Sequence, residues 1–228
     1  MSISERFMKA FEGSTAAHGQ TELGSTRRNG KTEAKSFVVR EPLTEEKVLQ
    51  HLDGKTGVGA IPINEENNCK FGAIDIDTYP IDHAALVRKL AKLEIPMAVC
   101  RSKSGGAHVY LFLAEFYPAS EIREFLAEVA ATLGHAGCEI FPKQDRILAD
   151  RGDVGNFINL PYFDSEQTVR YMVDYEGNDV DLETFLIWVE NSRLTMNDLS
   201  NLQTGVNTDD GPFATGYPCL QTMTAMHV

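Results

Sequence analysis

Basic residues are scarce in this chain. Its 228 residues include 21 lysines and arginines against 33 aspartates and glutamates, which gives a formal net charge of −12. This balance argues against an autonomous binder that holds nucleic acid by charge alone, because such proteins usually present a basic surface. Residues 173–228 contain nine acidic residues and one basic residue, Arg193, and so carry −8 of the total. We interpret that segment as a solvated surface and a linker, which charge runs usually are.

We also expect no zinc-binding cysteine pair, no leader peptide and no membrane span. No two of its four cysteines, at positions 69, 100, 138 and 219, are close enough for a CxxC half-site, which argues against a structural zinc module within these residues. The N-terminal stretch MSISERFMKAFEG has charges where a signal peptide is apolar. No apolar run approaches the ~18 residues of a membrane span. We therefore predict a soluble cytoplasmic protein with reduced thiols.

The composition that remains is that of a globular chain, with 43% hydrophobic and 24% charged residues. The hydrophobic pattern predicts helices over 44–52, 81–93, 120–133 and 181–188, with Asp82 and Ser120 as N-caps, and loops over 24–35 and 204–217. It predicts strands over 57–63, 71–76, 95–100, 108–113, 138–141 and 156–160. This order predicts an α/β (α+β) sandwich with a mixed or antiparallel sheet, of the ferredoxin or RRM kind. A Walker lysine motif, a dinucleotide GxGxxG and internal repeats are all missing.

The first segment whose residues could form a catalytic or metal site is FGAIDID, at residues 71–77. Alternate residues of a strand share a face, so Ile74 and Ile76 should point into the core and Asp75 and Asp77 to the other side. Two carboxylates at about 4 Å repel by about 4 kcal/mol at the effective dielectric of a protein surface. A magnesium or manganese ion, which prefers oxygen ligands, would remove that penalty. The alternative is a strand end with two solvated acids before a turn at Tyr79-Pro80.

The second segment is RSKSGGAH, at residues 101–108, between two apolar strands. Hydroxyls, glycines and two cations make a plausible anion cradle, because small residues let backbone N–H groups approach phosphate oxygens. His108 should share a strand face with Tyr110 and Phe112. The alternative is a glycine-rich hairpin with a surface histidine.

The third segment runs from Glu139 to Arg146 and is followed by GNFINLP at residues 155–161. Glu139 lies in an apolar strand, where an unpaired charge is costly. It either pairs with Lys143 or Arg146 or supplies a third metal carboxylate. Asn156 and Asn159 could cap a turn or hydrogen-bond a base or sugar.

Together, in this order, the three segments resemble the catalytic domain of the archaeo-eukaryotic primase superfamily, particularly phage- and plasmid-type primase-polymerases, over about residues 52–163. The resemblance implies an RRM-like catalytic core in which Asp75, Asp77 and Glu139 bind Mg²⁺ or Mn²⁺. It also implies that His108 contacts the phosphates of the incoming nucleotide. The expected further nucleotide contacts are Arg101, Ser102, Lys103, Ser104, Gly105, Gly106, Lys143, Arg146, Asn156 and Asn159.

The resemblance further implies a DNA primase-polymerase, a nucleotidyltransferase that makes or extends primers from NTPs or dNTPs on single-stranded DNA in phage- or plasmid-type replication. We expect residues 1–172 to form the catalytic domain and residues 173–228 an acidic helical tail and linker. The stretch GPFATGYPCLQ, at residues 211–221, looks like the start of a segment leading to a missing C-terminal region and a helicase. The chain departs from the family in having Glu139 where many members have Asp, and in showing no zinc-binding module.

Two other functions remain open from the residues alone. Clustered carboxylates also serve metal-dependent nucleases, which need no triphosphate. A non-catalytic module for single-stranded nucleic acid would use the sheet and stack bases on Tyr110 and Phe112.

Overall fold

The computed structural model describes residues 1–28 and 31–205, in which helices cover two antiparallel sheets. Helices α1 to α6 span Ile3–Ala10, Glu45–Leu52, His83–Lys92, Ala119–Leu133, Leu182–Asn191 and Met196–Gly205, and a 3₁₀ turn spans Ala149–Arg151. Strands β1 to β10 span His18–Arg28, Lys31–Val39, Gly57–Ala60, Asn68–Ile76, Ala98–Arg101, Ala107–Pro118, Glu139–Phe141, Ile158–Asn159, Met172–Val173 and Asp179–Val180. The predicted α+β class with an antiparallel sheet is confirmed.

The larger sheet has the strand order β10-β9-β5-β6-β4-β7, and apolar residues bury both of its faces. Helices α3 and α4 cover the face that carries Ile74, Ile76 and Val109. Helices α1, α2 and α5 cover the opposite face. The predicted assignment of alternate residues to two faces is therefore correct for β4 and β6.

Burial of the second face removes the predicted stacking platform. Tyr110 and Phe112 are fully buried, and Phe11, which directly follows α1, packs edge-on against both rings at centroid distances of 5.3 and 5.5 Å. A base cannot stack on rings that a helix already covers. The hypothesis of a binding module built on these two aromatics was wrong, because the sheet face that carries them belongs to the core.

The smaller sheet has the order β2-β1-β3-β8 and contains an element that we did not predict. Residues 24–35, expected to be a loop, include the end of β1 and the start of β2. The two strands pair with Thr21 opposite Ser36 and Glu22 opposite Lys35. Polar, breaker-rich composition predicted a loop here, but pairing between neighbouring strands decides strand formation more strongly than composition does.

Local capping explains where most helices begin. The side chains of Thr44, Asp82 and Asp181 accept hydrogen bonds from the backbone N–H groups of the first turns of α2, α3 and α5. The predicted N-cap at Ser120 was wrong. Strand β6 runs directly into α4, which has no side-chain cap. The N–H of Ala119 instead donates to the backbone carbonyl of Asn67 at 2.9 Å.

Strands β4 and β6 change register once along their length. Phe71 pairs with Phe112 on one side of the change and Cys69 pairs with Tyr117 on the other, so residues 113–116 of β6 face only Lys70. The backbone of Leu194 bonds to β6 at this point, to Phe112 and Ala114 at 3.0 and 2.9 Å.

The segment after residue 172 begins inside the larger sheet, and Phe185 and Trp188 of α5 are buried in the core. The boundary at residue 172 stays a prediction, and the expectations for residues 206–228 lie outside the described residues. Across residues 1–28 and 31–205, no helix is both long and apolar enough to span a membrane. Cys69, Cys100 and Cys138 are free thiols.

Candidate active site

The three motif segments meet on neighbouring strands of the larger sheet. Strand β4 lies between β7 and β6, and Asp75 pairs directly with Glu139 on one side and with His108 on the other. The Nε2 atom of His108 is 3.4 Å from Oδ1 of Asp75. Antiparallel pairing therefore brings side chains that are far apart in the sequence into one row across the sheet.

A cavity of about 200 Å³ opens beside this row. Eight of the residues that line it were predicted: Asp75, Asp77, Arg101, Ser102, Lys103, Ser104, His108 and Asn159. Three were not: Leu160, Pro161 and Arg170. Glu139, Gly105, Gly106, Lys143, Arg146 and Asn156 were predicted but do not line it.

The loop between β5 and β6 is a tight turn tied to the second aspartate. The N–H of Ser102 bonds the carbonyl of Gly106 at 2.8 Å. The hydroxyl of Tyr79 lies 2.9 Å from Oδ1 of Asp77 and 2.6 Å from Oγ of Ser104. The hydroxyls of Ser102 and Ser104 are 3.1 Å apart. The loop and the carboxylate thus form one hydrogen-bonded unit at the edge of the cavity.

The two glycines of this loop differ in what a side chain would meet, which allows a matched test. A Cβ on Gly106 would lie 2.3 Å from the carbonyl oxygen of Ile76 and 3.4 Å from Oδ1 of Asp77. A Cβ on Gly105 would meet nothing within 4 Å, although its φ of +94° strains any other residue by about 1 kcal/mol. We expect Gly106→Ala to displace Asp77 and to lower turnover at this site at least about tenfold, while Gly105→Ala costs stability alone.

Turnover and thermal unfolding of both variants would check this expectation. A Gly106→Ala protein with wild-type turnover would contradict it, because a contact of 2.3 Å with the backbone cannot persist without movement of the strand or the loop.

Charge is crowded around Asp75. Burial and, to a smaller extent, the carboxylates of Asp77 and Glu139 raise its pKa to about 6, against the opposing effect of Lys143. Burial lowers the pKa of His108 to about 4, and the nearby Arg170 contributes to the lowering. At neutral pH the row therefore holds an ionised Asp75 beside a neutral imidazole.

Glu139 is exposed and makes the ion pair that we considered as an alternative. Its Oε2 lies 2.8 Å from Nζ of Lys143, which also sits 5.0 Å from the centre of the Phe141 ring. Within residues 1–28 and 31–205, no group of three His, Cys, Asp or Glu side chains is placed to hold a metal ion. A metal role for Glu139 stays a prediction and requires its release from Lys143.

The remaining predicted contacts differ in position. Arg146 and Asn156 are exposed and do not line the cavity. Asn159 lines the cavity, and its Oδ1 accepts a hydrogen bond from the hydroxyl of Thr21 at 3.1 Å. Arg101 also lines it, but its guanidinium is paired with Asp179.

Arg170 is the most informative residue that we did not predict. Its guanidinium lies 5.0 Å from the centre of the Phe163 ring, and burial lowers its pKa. Among the residues that the structure describes, it has no carboxylate partner within 4.0 Å. One signal could have identified it: it is the single basic residue between Arg151 and Arg193, in a stretch rich in acids.

Comparison with known proteins gives the family. The model of the archaeo-eukaryotic primase domain of TOTE conflict systems matches residues 12–180. The chain therefore belongs to this family of primase domains, which confirms the predicted superfamily and supports a primase-type function. No curated protein matches the sequence significantly.

Solved structures with a similar fold include a primase-polymerase and a primase. The archaeo-eukaryotic primase domain of the cyanophage S-2L primase-polymerase is 14% identical, with a TM-score of 0.43 over 80% of this chain and 94% of that one. The catalytic domain of primase RepB′, solved with initiator DNA, is 11% identical, with a TM-score of 0.41 over 91% of this chain and 97% of that one.

Proposed function

We propose that this chain catalyses template-dependent, metal-dependent nucleotidyl transfer from NTPs or dNTPs, and so makes or extends primers on single-stranded DNA. The observation that carries the proposal is the arrangement of opposite charges within one cavity. Asp75 and Asp77 lie among the cavity walls with Lys103 and Arg170. A cavity that presents carboxylates for a cation and cations for an anion suits a metal–triphosphate complex.

The donor set fits Mg²⁺ or Mn²⁺, since carboxylate oxygens are the ligands that both ions prefer. The raised pKa of Asp75 reflects burial beside two other carboxylates, a charge excess that a divalent cation would compensate. Asp75 and Asp77 would hold the metal, joined by Glu139 once it leaves Lys143. Bound metal ions would lower the pKa of the attacking hydroxyl and offset the charge on the leaving pyrophosphate.

The protein's own groups would bind and orient the triphosphate. Arg170 and Lys103 supply positive charge, and the hydroxyls of Ser102 and Ser104 supply hydrogen-bond donors at the same wall. Because Phe163 supports the guanidinium of Arg170, little side-chain entropy is lost when it binds phosphate. His108 lines the same cavity with Nε2 3.4 Å from Oδ1 of Asp75, and it would donate to a substrate phosphate once Nε2 takes up a proton.

A primer synthesis and extension assay tests the proposal. The full chain is incubated with a single-stranded DNA template, labelled NTPs or dNTPs, and Mg²⁺ or Mn²⁺. We expect labelled products that require the template, the triphosphate and the metal, and that EDTA abolishes. Asp77→Asn should reduce the product at least about 100-fold, the loss typical when a group that stabilises transition-state charge is removed.

Glu128→Gln, an exposed carboxylate on α4 outside the cavity, serves as the matched control and should leave the product unchanged. Undiminished product in Asp77→Asn would contradict the proposal. Degradation of labelled DNA without any triphosphate would instead favour the nuclease.

A further inference from the structure

A continuous hydrogen-bonded chain leads from the active-site histidine into the core. The Nδ1 atom of His108 lies 3.0 Å from the hydroxyl of Tyr110, and that hydroxyl lies 3.0 Å from the backbone carbonyl oxygen of Asn159. Tyr110 is fully buried and does not line the cavity. Its hydroxyl therefore joins His108 to a carbonyl on β8, in the other sheet.

The direction of both hydrogen bonds follows from counting protons. A carbonyl oxygen only accepts, and a phenol has a single proton to donate. If that proton pointed to His108, the phenol and carbonyl oxygens would face each other at 3.0 Å with lone pairs alone, in a buried place where unmade hydrogen bonds are costly. The phenol therefore donates to Asn159, and Nδ1–H of His108 donates to the phenol oxygen.

The direction of these hydrogen bonds determines which ring nitrogen of His108 carries the proton. With its proton held on Nδ1, the neutral ring carries a lone pair on Nε2, 3.4 Å from Oδ1 of Asp75. These two atoms do not hydrogen-bond to each other in this tautomer, so Nε2 is left as an acceptor at the cavity. The same bond prevents a ring flip, since a flipped ring would present a carbon to the phenol oxygen.

We propose that Tyr110 is a positioning residue that fixes the tautomer and the orientation of His108 and so presents Nε2 to the active site. Its effect on turnover rests on the proposed nucleotidyl transfer, whereas its effect on the tautomer does not. The anchor is rigid, because β8 pairs with β3 and the side chain of Asn159 is bonded to Thr21 of β1.

A merely structural hydroxyl would satisfy the Asn159 carbonyl and nothing more, and the chain contains a matched example of one. Tyr162 is also fully buried, and its hydroxyl donates to the carbonyl of Val180 at 2.7 Å and accepts from the N–H of Met172 at 3.2 Å. It has no hydrogen bond to His108. Tyr162→Phe therefore removes an equivalent buried hydroxyl without touching the active-site chain.

The test combines nitrogen NMR with kinetics on the full chain. The ¹⁵N shifts of His108, assigned by comparison with His108→Gln, should show the proton on Nδ1 in the wild type and in Tyr162→Phe. Tyr110→Phe should give a mixture of tautomers and a turnover about tenfold lower, the change expected when one hydrogen bond of typical strength is lost. Both phenylalanine variants should lose similar thermal stability.

A wild-type His108 with its proton on Nε2, or a Tyr110→Phe protein with the wild-type tautomer, would overturn the proposal. The wild-type spectrum decides the question even if Tyr110→Phe does not fold. The expected tautomers in a chain that makes no primers would support the positioning role and refute the proposed reaction instead.

Discussion

Asp75→Asn is expected to abolish primer synthesis and, in the metal-free protein, to raise stability. Asp75 is the buried member of a group of three carboxylates, and its side chain is only 19% exposed. An amide of the same shape keeps the packing and removes the repulsion. Loss of a metal ligand should lower synthesis at least about 100-fold. The free energy of unfolding should rise by about 1–2 kcal/mol at pH 7, a value discounted for solvent screening.

The sign of this stability change determines its pH dependence. The pKa of Asp75 is raised to about 6 in the folded state, above the value of about 3.9 for an unperturbed aspartate. Ionised Asp75 therefore destabilises the fold above pH 6, and its protonation removes that effect as the pH falls toward 4. The gain from Asp75→Asn should be complete above pH 6 and should disappear near pH 4.

Thermal unfolding in EDTA, repeated from pH 4 to pH 8, measures this difference. For a chain of this size we expect a shift of a few degrees at pH 7. Glu128→Gln should show no shift at any pH. A lower melting temperature for Asp75→Asn at pH 7 would show that Asp75 stabilises the metal-free fold, contrary to our account of the site.

The second large effect is expected at Arg170. Arg170→Gln should lower catalytic efficiency about 10- to 100-fold, the range that corresponds to the loss of a hydrogen bond to a charged group. The loss should appear mainly as a higher KM for the triphosphate, because the role is binding. Arg170→Lys should restore only part of it, since lysine keeps the charge but not the planar fork.

Stability separates this role from a structural one. Arg170 has no carboxylate partner among the described residues, so Arg170→Gln should leave the melting temperature of the metal-free protein unchanged or higher. Arg146→Gln, an exposed arginine that does not line the cavity, is the comparison. An equal rise in KM in both variants would mean that general charge, and not the site, explains the effect.

Much of the site follows from strand periodicity alone. Alternation in β4 and β6 predicted that Asp75 and Asp77 share a side and that His108 lies opposite the apolar Val109. The order of the three segments then predicted the family. Both inferences succeed because the geometry of a strand is fixed by the backbone, so a residue's side of the sheet can be read from its position in the sequence.

Features that depend on what covers a surface could not be predicted in this way. The sequence correctly placed Tyr110 and Phe112 on the same strand face as His108, but only the packing of α1 against that face shows that they are buried. Arg170 lies outside every motif and reaches the cavity through the turn before β9. Glu139 was correctly placed on a strand, while its partnership with Lys143 depends on rotamers that the sequence left open.

The register change between β4 and β6 has a consequence for how the chain tolerates changes in length. Because residues 113–116 are not paired one to one with β4, an added or deleted residue there can be absorbed locally in the β4–β6 pairing. The pairing of Asp75 with His108 lies on the other side of that stretch and would keep its alignment. The same insertion between Val109 and Phe112 would turn His108 or its neighbours to the opposite face. We therefore expect insertion scanning to find that β6 tolerates insertions at residues 113–116 and does not tolerate them between Val109 and Phe112.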